Sequence, residues 1–175
     1  MTKTTTSKIV VVGLDLSLRA AGAVRFEAPW SLDFKDIEHM VTGHALPRTA
    51  TEYDRMCRLS STKKALLEFC EGASVVVVEQ YAFSRGMSQA HALGEMGGVV
   101  KHALHERGIE VVPVVASHAR AHLGRFPRKN TKVFVEAAVR KMGAPDDWIP
   151  DEIDAFVVAN SYCVEEGLGG LVVER

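Results

Sequence analysis

The sequence is poor in cysteine. Only three cysteines occur among its 175 residues, at Cys57, Cys70 and Cys163, and no two of them form a CxxC pair. An odd number of isolated cysteines argues against a disulfide framework and against a cysteine-ligated zinc site. A reducing compartment fits this usage, so we expect a cytoplasmic protein.

The sequence also lacks long apolar runs and an excess of either charge. Nowhere do 18 uncharged apolar residues follow one another, and residues 1–7 lack the apolar core of a secretion signal. We therefore expect neither a membrane span nor a membrane partner. With 21 basic and 22 acidic residues, the net charge is −1, so a nucleic-acid surface must arise from local clustering. The length fits one domain over residues 1–175, with 1–7 and 168–175 as flexible tails.

Two apolar stretches that end in an acid are the most informative part of the chain. Residues 9–15 read IVVVGLD, and residues 75–79 read VVVVE. Such runs predict strands buried on both faces, and strand ends are a usual place for site residues. If the strands are neighbours, Asp15 and Glu79 repel by roughly 4 kcal/mol at about 4 Å and an effective dielectric near 20. We therefore expect a divalent metal between the two carboxylates.

Apolar periodicity and turn residues predict an α/β fold. Strands are expected over 8–15, 23–27, 37–46, 74–79 and 109–115, and helices over 50–71, 87–107, 131–142 and 150–166. The second strand follows a turn over 16–22 that includes Gly22, which makes it a hairpin partner of the first. Thr49 and Glu52 match a capping box at the first helix, and Pro113 places the last strand at a sheet edge.

Three glycines, Gly94, Gly97 and Gly98, lie inside the predicted helix 87–107. Each interior glycine costs a helix about 1 kcal/mol relative to alanine. Their number indicates that another backbone approaches closely there. This backbone belongs either to the protein's own sheet or to a second copy of the chain.

Two further acids open the last predicted helix. Asp151 and Asp154 are three residues apart and so share one helical face. Taken singly, each acid of the chain has a simpler explanation as a turn cap or a helix-dipole partner. Together with Asp15 and Glu79, however, they supply four hard oxygen donors and no soft ligand, which favours Mg²⁺ or Mn²⁺ over Zn²⁺. Two such ions about 3.5–4 Å apart can hydrolyse a phosphodiester.

A long window without acids follows the last strand. Residues 111–135 contain no Asp or Glu. The basic residues of the window are Arg120, Arg125, Arg128, Lys129 and Lys132. We interpret the window as a phosphate-binding surface, the alternative being a solvated loop and helix face.

The same window carries His118 and His122, which are four residues apart, as two metal ligands on a helix would be. No HExxH motif surrounds them. They are expected to be exposed or to face phosphate. His102 and His105, three residues apart, are expected at the surface.

Three segments resemble a known family. GLDLSLRAAG, VVVVEQYAFSRGMSQAHALGEMGGVV and PDEIDAFVVA resemble the RuvC-type Holliday junction resolvases of the ribonuclease H-like superfamily. The resemblance spans nearly the whole chain. It implies a ribonuclease H-like five-stranded mixed sheet flanked by helices, and a homodimer that acts on four-way DNA junctions in recombination and repair. It further implies Mg²⁺-dependent hydrolysis, with Mn²⁺ as a substitute, that leaves a 5′-phosphate and a 3′-hydroxyl.

The resemblance also implies roles for single residues. Asp15 would bridge two ions and Glu79 would ligate one, while Asp154 and Asp151 would complete the set. Either Lys129 or Lys132 would be a DNA-contacting residue near the acids. The glycine-containing helix would form the dimer contact.

Two departures from the family pattern concern the turn and the loop that follow the first two acids. Leu16-Ser17-Leu18 stands where the family usually has Pro-Gly-Ser, and Ala82 stands where a phenylalanine usually stacks on a base. Tyr81 or Phe83 could supply that ring, and Arg85 is a further candidate for DNA contact. This divergence indicates a phage-type relative, in the cytoplasm of a bacterial or phage-infected cell.

Three other functions stay open from the sequence. One is a nuclease of the same superfold that acts on another substrate, such as RNA. Another is a branched-DNA-binding protein without catalytic activity. A third is an actin-like ATP-binding protein, for which the chain is short because that fold normally needs two such domains.

Overall fold

A computed structural model describes residues 8–29, 33–80 and 87–173 of the chain. Within these ranges one mixed sheet has five strands in the order β3-β2-β1-β4-β5. Their bounds are β1 Ile9–Asp15, β2 Ala21–Ala28, β3 Glu38–Thr42, β4 Val75–Gln80 and β5 Glu110–Val115. The first three strands are antiparallel neighbours, whereas β4 and β5 run parallel to β1. The sheet confirms the predicted hairpin and the predicted edge position of the last strand.

Helices cover both faces of the sheet. Their bounds are α1 Glu52–Phe69, α2 Met87–Glu106, α3 Ala116–Leu123, α4 Thr131–Lys141 and α5 Pro150–Glu165. Helices α1 and α2 pack on one face, and α3, α4 and α5 pack on the other. The short helix α3 was not predicted, because the sequence offers no apolar stripe or side-chain cap strong enough to indicate it.

The two apolar runs are buried on both sides, as predicted. Val12 and Val76 point toward α1 and α2, whereas Val11 and Val75 point toward α5. Because side chains alternate along a strand, β1 and β4 each need apolar residues at every position. The run of valines is therefore the sequence signature of two central strands.

Two glycines allow α5 to lie directly on the strands. A Cβ atom at Gly13 would lie 2.1 Å from the carbonyl oxygen of Ala155, and one at Gly22 would lie 2.3 Å from that of Asp151. No side chain fits in either gap. The first turn of α5 is consequently held against the ends of β1 and β2.

The structure corrects three local predictions. Gly22 lies within β2, where it pairs with Asp15, and not in the turn. The cap of α1 is Thr51, whose Oγ1 accepts a hydrogen bond from the Asp54 amide at 3.2 Å, so the predicted Thr49–Glu52 box is wrong. Strand β3 ends at Thr42, because Gly43 with φ +104° breaks the extended backbone.

The C-terminal segment was expected to be a flexible tail, and its described part is 168–173. The Asn160 side chain donates to the carbonyl of Leu171 at 3.0 Å and accepts from its amide at 2.6 Å. The Val173 amide donates to the carbonyl of Leu123 at 2.7 Å. These hydrogen bonds tie the segment to α5 and to the end of α3.

None of the helices in the described ranges is long and apolar enough to cross a bilayer.

Candidate metal centre and nucleic-acid groove

Three carboxylates from three elements meet at one edge of the sheet. Asp15 and Glu79 lie at the ends of the parallel neighbours β1 and β4, and the pairing of Gly13 with Val77 continues in register to these two acids. Both side chains follow the alternation toward the α5 side. Asp154, in the first turns of α5, completes the group, and one carboxylate oxygen of each residue lies within 4.8 Å of the others.

Burial and mutual repulsion disfavour the charged forms of Asp15 and Glu79. Burial, followed by the Glu79 and Asp154 carboxylates, raises the pKa of Asp15 to about 8. Burial and the Asp154 carboxylate also raise the pKa of Glu79. Because three carboxylates crowd one place and both neighbouring cations are paired with Asp154, the cluster is suited to a divalent cation. Since all the donors are carboxylate oxygens, the donor set fits Mg²⁺ or Mn²⁺.

Asp151 lies beside this cluster. It lines the same groove as Asp15 and Glu79, but it is not part of the three-oxygen group. Burial raises its pKa. Of the four acids expected to act together, the structure brings three into direct proximity, and the fourth lines the same groove outside that group.

Two cations hold Asp154 in place. Arg120 Nη2 donates to Asp154 Oδ1 at 3.1 Å, and Lys132 Nζ forms an ion pair with Asp154 Oδ2. Burial lowers the pKa of Lys132, but the hydrogen bond and charge of Asp154 outweigh it and the pKa is raised. Lys132 therefore stays protonated. Of the two lysines left open by the sequence, Lys132 is the one beside the acids.

A wide groove of about 980 Å³ opens in front of the carboxylates. Asp15, Glu79, Asp151 and Lys132 line one part of it. The remainder is lined by uncharged, mostly apolar residues and by four arginines, Arg19, Arg48, Arg55 and Arg58. The sequence analysis did not predict these arginines as DNA contacts. It relied on a window without acids, whereas acids such as Glu52 and Asp54 lie close to some of these arginines in the sequence.

The other predicted DNA-contact residues lie elsewhere. Arg125, Arg128 and Lys129 are exposed in the segment between α3 and α4 and are not among the residues that line the groove. Tyr81, Phe83 and Arg85 fall outside the described residues.

Glu152, which the sequence did not single out, positions the start of α5. It is buried, its Oε2 accepts from the Ile149 amide at 2.7 Å, and its Oε1 lies 2.6 Å from Nδ1 of His39. These contacts satisfy a backbone donor of the first turn and link α5 to β3. Glu152, the acid next to Asp151, therefore has a structural role.

The glycines of α2 do not all face the protein's own sheet. Gly97 is buried, but a Cβ at Gly94 or Gly98 would meet no atom within 4 Å among the described residues. Close packing against the sheet therefore does not explain these two glycines.

Comparison with known proteins supports the fold. No protein-family model and no curated protein sequence matches the chain. Solved structures that match include RuvC of Thermus thermophilus in complex with a Holliday junction substrate, at 18% identity and a TM-score of 0.68, covering 92% of this chain and 96% of that one. The yeast mitochondrial Holliday junction resolvase Ydc2 matches at 10% identity and a TM-score of 0.59, covering 90% and 79%. The fowlpox virus resolvase, solved with Holliday junction DNA, matches at 12% identity and a TM-score of 0.52, covering 91% and 99%.

These neighbours are Holliday junction resolvases, and at such identities they establish the fold. The predicted ribonuclease H-like sheet flanked by helices is confirmed.

Proposed function

We propose that the protein is a metal-dependent DNA endonuclease that resolves four-way junctions or related branched DNA. The observation that carries the proposal is the convergence of Asp15, Glu79 and Asp154 at the edge of an arginine-lined groove. The fold supports it, because the structural neighbours are junction resolvases. The reaction is hydrolysis of a phosphodiester in DNA recombination or repair, leaving a 5′-phosphate and a 3′-hydroxyl.

In this proposal Asp15, Glu79 and Asp154 hold Mg²⁺, for which Mn²⁺ can substitute, and Asp151 completes the site from the same groove. Such ions activate water and stabilise the leaving oxygen in phosphodiester hydrolysis. Arg120 and Lys132 fix the Asp154 carboxylate from two sides. Lys132 also lines the groove, so its ammonium group is available to the scissile phosphate.

The arginines of the groove position the DNA. Arg19, Arg48, Arg55 and Arg58 face the same open space as the acids, and arginine binds phosphate oxygens in a bidentate manner. An open groove with four arginines in its lining suits a sugar-phosphate backbone better than a small molecule. Arg125, Arg128 and Lys129, which are exposed outside the groove, supply further positive charge.

The protein acts as a homodimer in this proposal. A four-way junction presents two equivalent strands, and a symmetric dimer carries two equivalent sites. Helix α2 supports such a contact, because no described atom lies within 4 Å of a Cβ at Gly94 or Gly98, so a second backbone can come close there.

The test is cleavage of three substrates with matched sequence: a synthetic four-way junction, a linear duplex and an RNA–DNA hybrid. Each is incubated with the protein with and without Mg²⁺, and any cuts are mapped. We expect cuts near the centre of the junction, in the presence of Mg²⁺ only. Preferential cleavage of the hybrid would instead identify a ribonuclease, and tight junction binding without cleavage would identify a non-catalytic DNA-binding protein.

A further inference from the structure

Three ligand-type side chains converge at a second place, outside the carboxylate cluster. His118 and His122 project from α3, and Glu165 projects from the last turn of α5. The two histidine Nε2 atoms lie 3.2 Å apart. Glu165 Oε1 lies 2.9 Å from Nε2 of His122 and 3.6 Å from Nε2 of His118. The three atoms thus form a small triangle.

The size of this triangle matches a tetrahedral metal site. Ligand atoms that surround Zn²⁺ tetrahedrally at about 2.0–2.1 Å lie about 3.3 Å from one another. The three separations of 2.9, 3.2 and 3.6 Å scatter around this value. An ion near the centre of the triangle would lie within bonding distance of all three ligands with little movement of the side chains.

The chemistry of the donors separates this triangle from the carboxylate cluster. Imidazole nitrogen is a poor ligand for Mg²⁺ but a good one for Zn²⁺ and neighbouring transition-metal ions. Glu165 also lies eleven residues after Asp154 on α5, which corresponds to about 16 Å along the helix. We propose that His118, His122 and Glu165 form a second, separate metal site that takes Zn²⁺.

A bound cation satisfies the lone pairs of these three side chains better than hydrogen bonds among them do. Neutral imidazole has one N–H, and the Glu165 carboxylate only accepts. Within the triangle two nitrogens and one oxygen therefore compete for one or two protons, whereas a metal ion bonds to all three lone pairs. The site is open to ions from solution, since the side chains of His118, His122 and Glu165 are 62%, 24% and 33% exposed.

An ion at this site would join α3 to α5. Arg120 lies between the two histidines in sequence and reaches Asp154 on α5. The short helix that carries this arginine would thus gain a second link to the helix that carries the acid. Three protein ligands leave the fourth tetrahedral position to water.

The test is Zn²⁺ affinity of the full chain without an affinity tag, measured by competition with a chromophoric chelator in excess Mg²⁺. We expect one Zn²⁺ per chain, and a loss of affinity of at least about 10-fold in His118→Ala, His122→Ala and Glu165→Gln. The matched control is His102→Ala, which removes a surface histidine that lies 3.5 Å from Glu106 and should leave the affinity unchanged. Asp15→Asn should also keep it, which separates this site from the carboxylate cluster.

A second readout is the visible spectrum of the Co²⁺-substituted protein. We expect the intense absorption of four-coordinate Co²⁺ in the wild type and its loss in His122→Ala. Saturating Zn²⁺ should raise the melting temperature by about 5–10 °C at 100 times the dissociation constant, in the wild type and in His102→Ala but not in His122→Ala. Equal Zn²⁺ affinity in the wild type and all three ligand variants would overturn the proposal, as would the absence of Zn²⁺ binding.

Discussion

Among single residues, Asp15 has the most perturbed environment of the site. Its pKa is about 8 in the folded chain, against 3.8 for an ordinary aspartate. Between these values the folded protein holds a proton that the unfolded chain has released. The free energy of unfolding therefore falls as the pH rises, by about 1.4 kcal/mol for each pH unit in that window.

Asp15→Asn should remove this contribution. We expect the metal-free variant to lose less stability than the wild type between pH 5 and pH 8, with a slope smaller by about 1 kcal/mol per pH unit. The measurement is urea unfolding at several pH values in the presence of a chelator. Added Mg²⁺ should stabilise the wild type most at high pH, because ions displace the proton. Parallel pH profiles for the two proteins would contradict the assigned pKa shift.

Lys132 is the second residue whose role can be isolated. Lys132→Gln removes the ammonium group that contacts Asp154 at the groove, and we expect the single-turnover cleavage rate to fall by at least about 10-fold. The control is Lys129→Gln, three residues earlier, which should change the rate by less than about 3-fold. Equal losses in both variants would mean that the two lysines contribute only general attraction for DNA.

How far the sequence predicts the site is clearest from these residues. Asp15 and Glu79 are predictable because each ends a buried apolar run, and strand alternation turns both toward the same helix. The choice between Lys129 and Lys132 is not predictable, because it depends on where α4 begins. The helix begins at Thr131, which places Lys132 in its first turn. Arg120 was predicted as a DNA-binding residue because of its charge, and its contact with Asp154 was not predicted.

At the scale of elements, the position of α5 is the decisive feature. Its first turns carry Asp151 and Asp154, and they lie against backbone at Gly22 and Gly13. A side chain at either glycine would push the helix, and with it the acids, away from the strand ends.

Gly22→Ala should therefore destabilise the protein by about 1–3 kcal/mol and lower the cleavage rate more than this loss of stability explains. The matched control for stability is Gly94→Ala, whose Cβ meets no described atom within 4 Å and which should gain up to about 1 kcal/mol. It is compared in unfolding only, because Gly94 belongs to the proposed dimer contact. Denaturant unfolding and cleavage of Gly22→Ala are measured on the same preparations. If Gly22→Ala kept wild-type cleavage, the close approach of α5 would not matter for the site.

Elements with strong periodicity were predicted, and elements fixed by tertiary contacts were not. The last helix was predicted to begin at Pro150, where a proline at the first helical position and early acids mark its start. Helix α3 was missed, and with it the meeting of His118 and His122 with Glu165. The spacing of the two histidines is typical of ligands on a helix, but without an HExxH motif they were expected to be exposed or to face phosphate. The third side chain comes from a distant part of the chain.

At the scale of the whole molecule, charge is distributed unevenly. The net charge is −1, yet four arginines and a lysine line the groove in front of the acids. We therefore expect the affinity for junction DNA to fall steeply as the salt concentration rises, although the chain as a whole is not basic. The length and balanced composition of the chain could not predict this local positive charge, because the groove is formed by residues from separate segments.

The double variant Arg48→Gln/Arg55→Gln tests the groove. We expect the slope of log affinity against log salt to become shallower by up to about 2, that is about 0.9 per lost phosphate contact. The comparison is Arg125→Gln/Arg128→Gln, in the acid-free window outside the groove, which should change the slope less. Fluorescence anisotropy with a labelled junction measures both. A larger effect of the second pair would place the main DNA contact on the segment between α3 and α4.

The central claim is that Asp15, Glu79 and Asp154 form one metal centre that cuts branched DNA. The most direct measurement is the single-turnover cleavage of a four-way junction in Mg²⁺ by the wild type and by Asp15→Asn, each at a concentration that saturates binding. We predict that the variant binds the junction at least as tightly as the wild type, because a negative charge is lost, and cleaves it at least about 1,000-fold more slowly. Cleavage by the variant at the wild-type rate would contradict the claim.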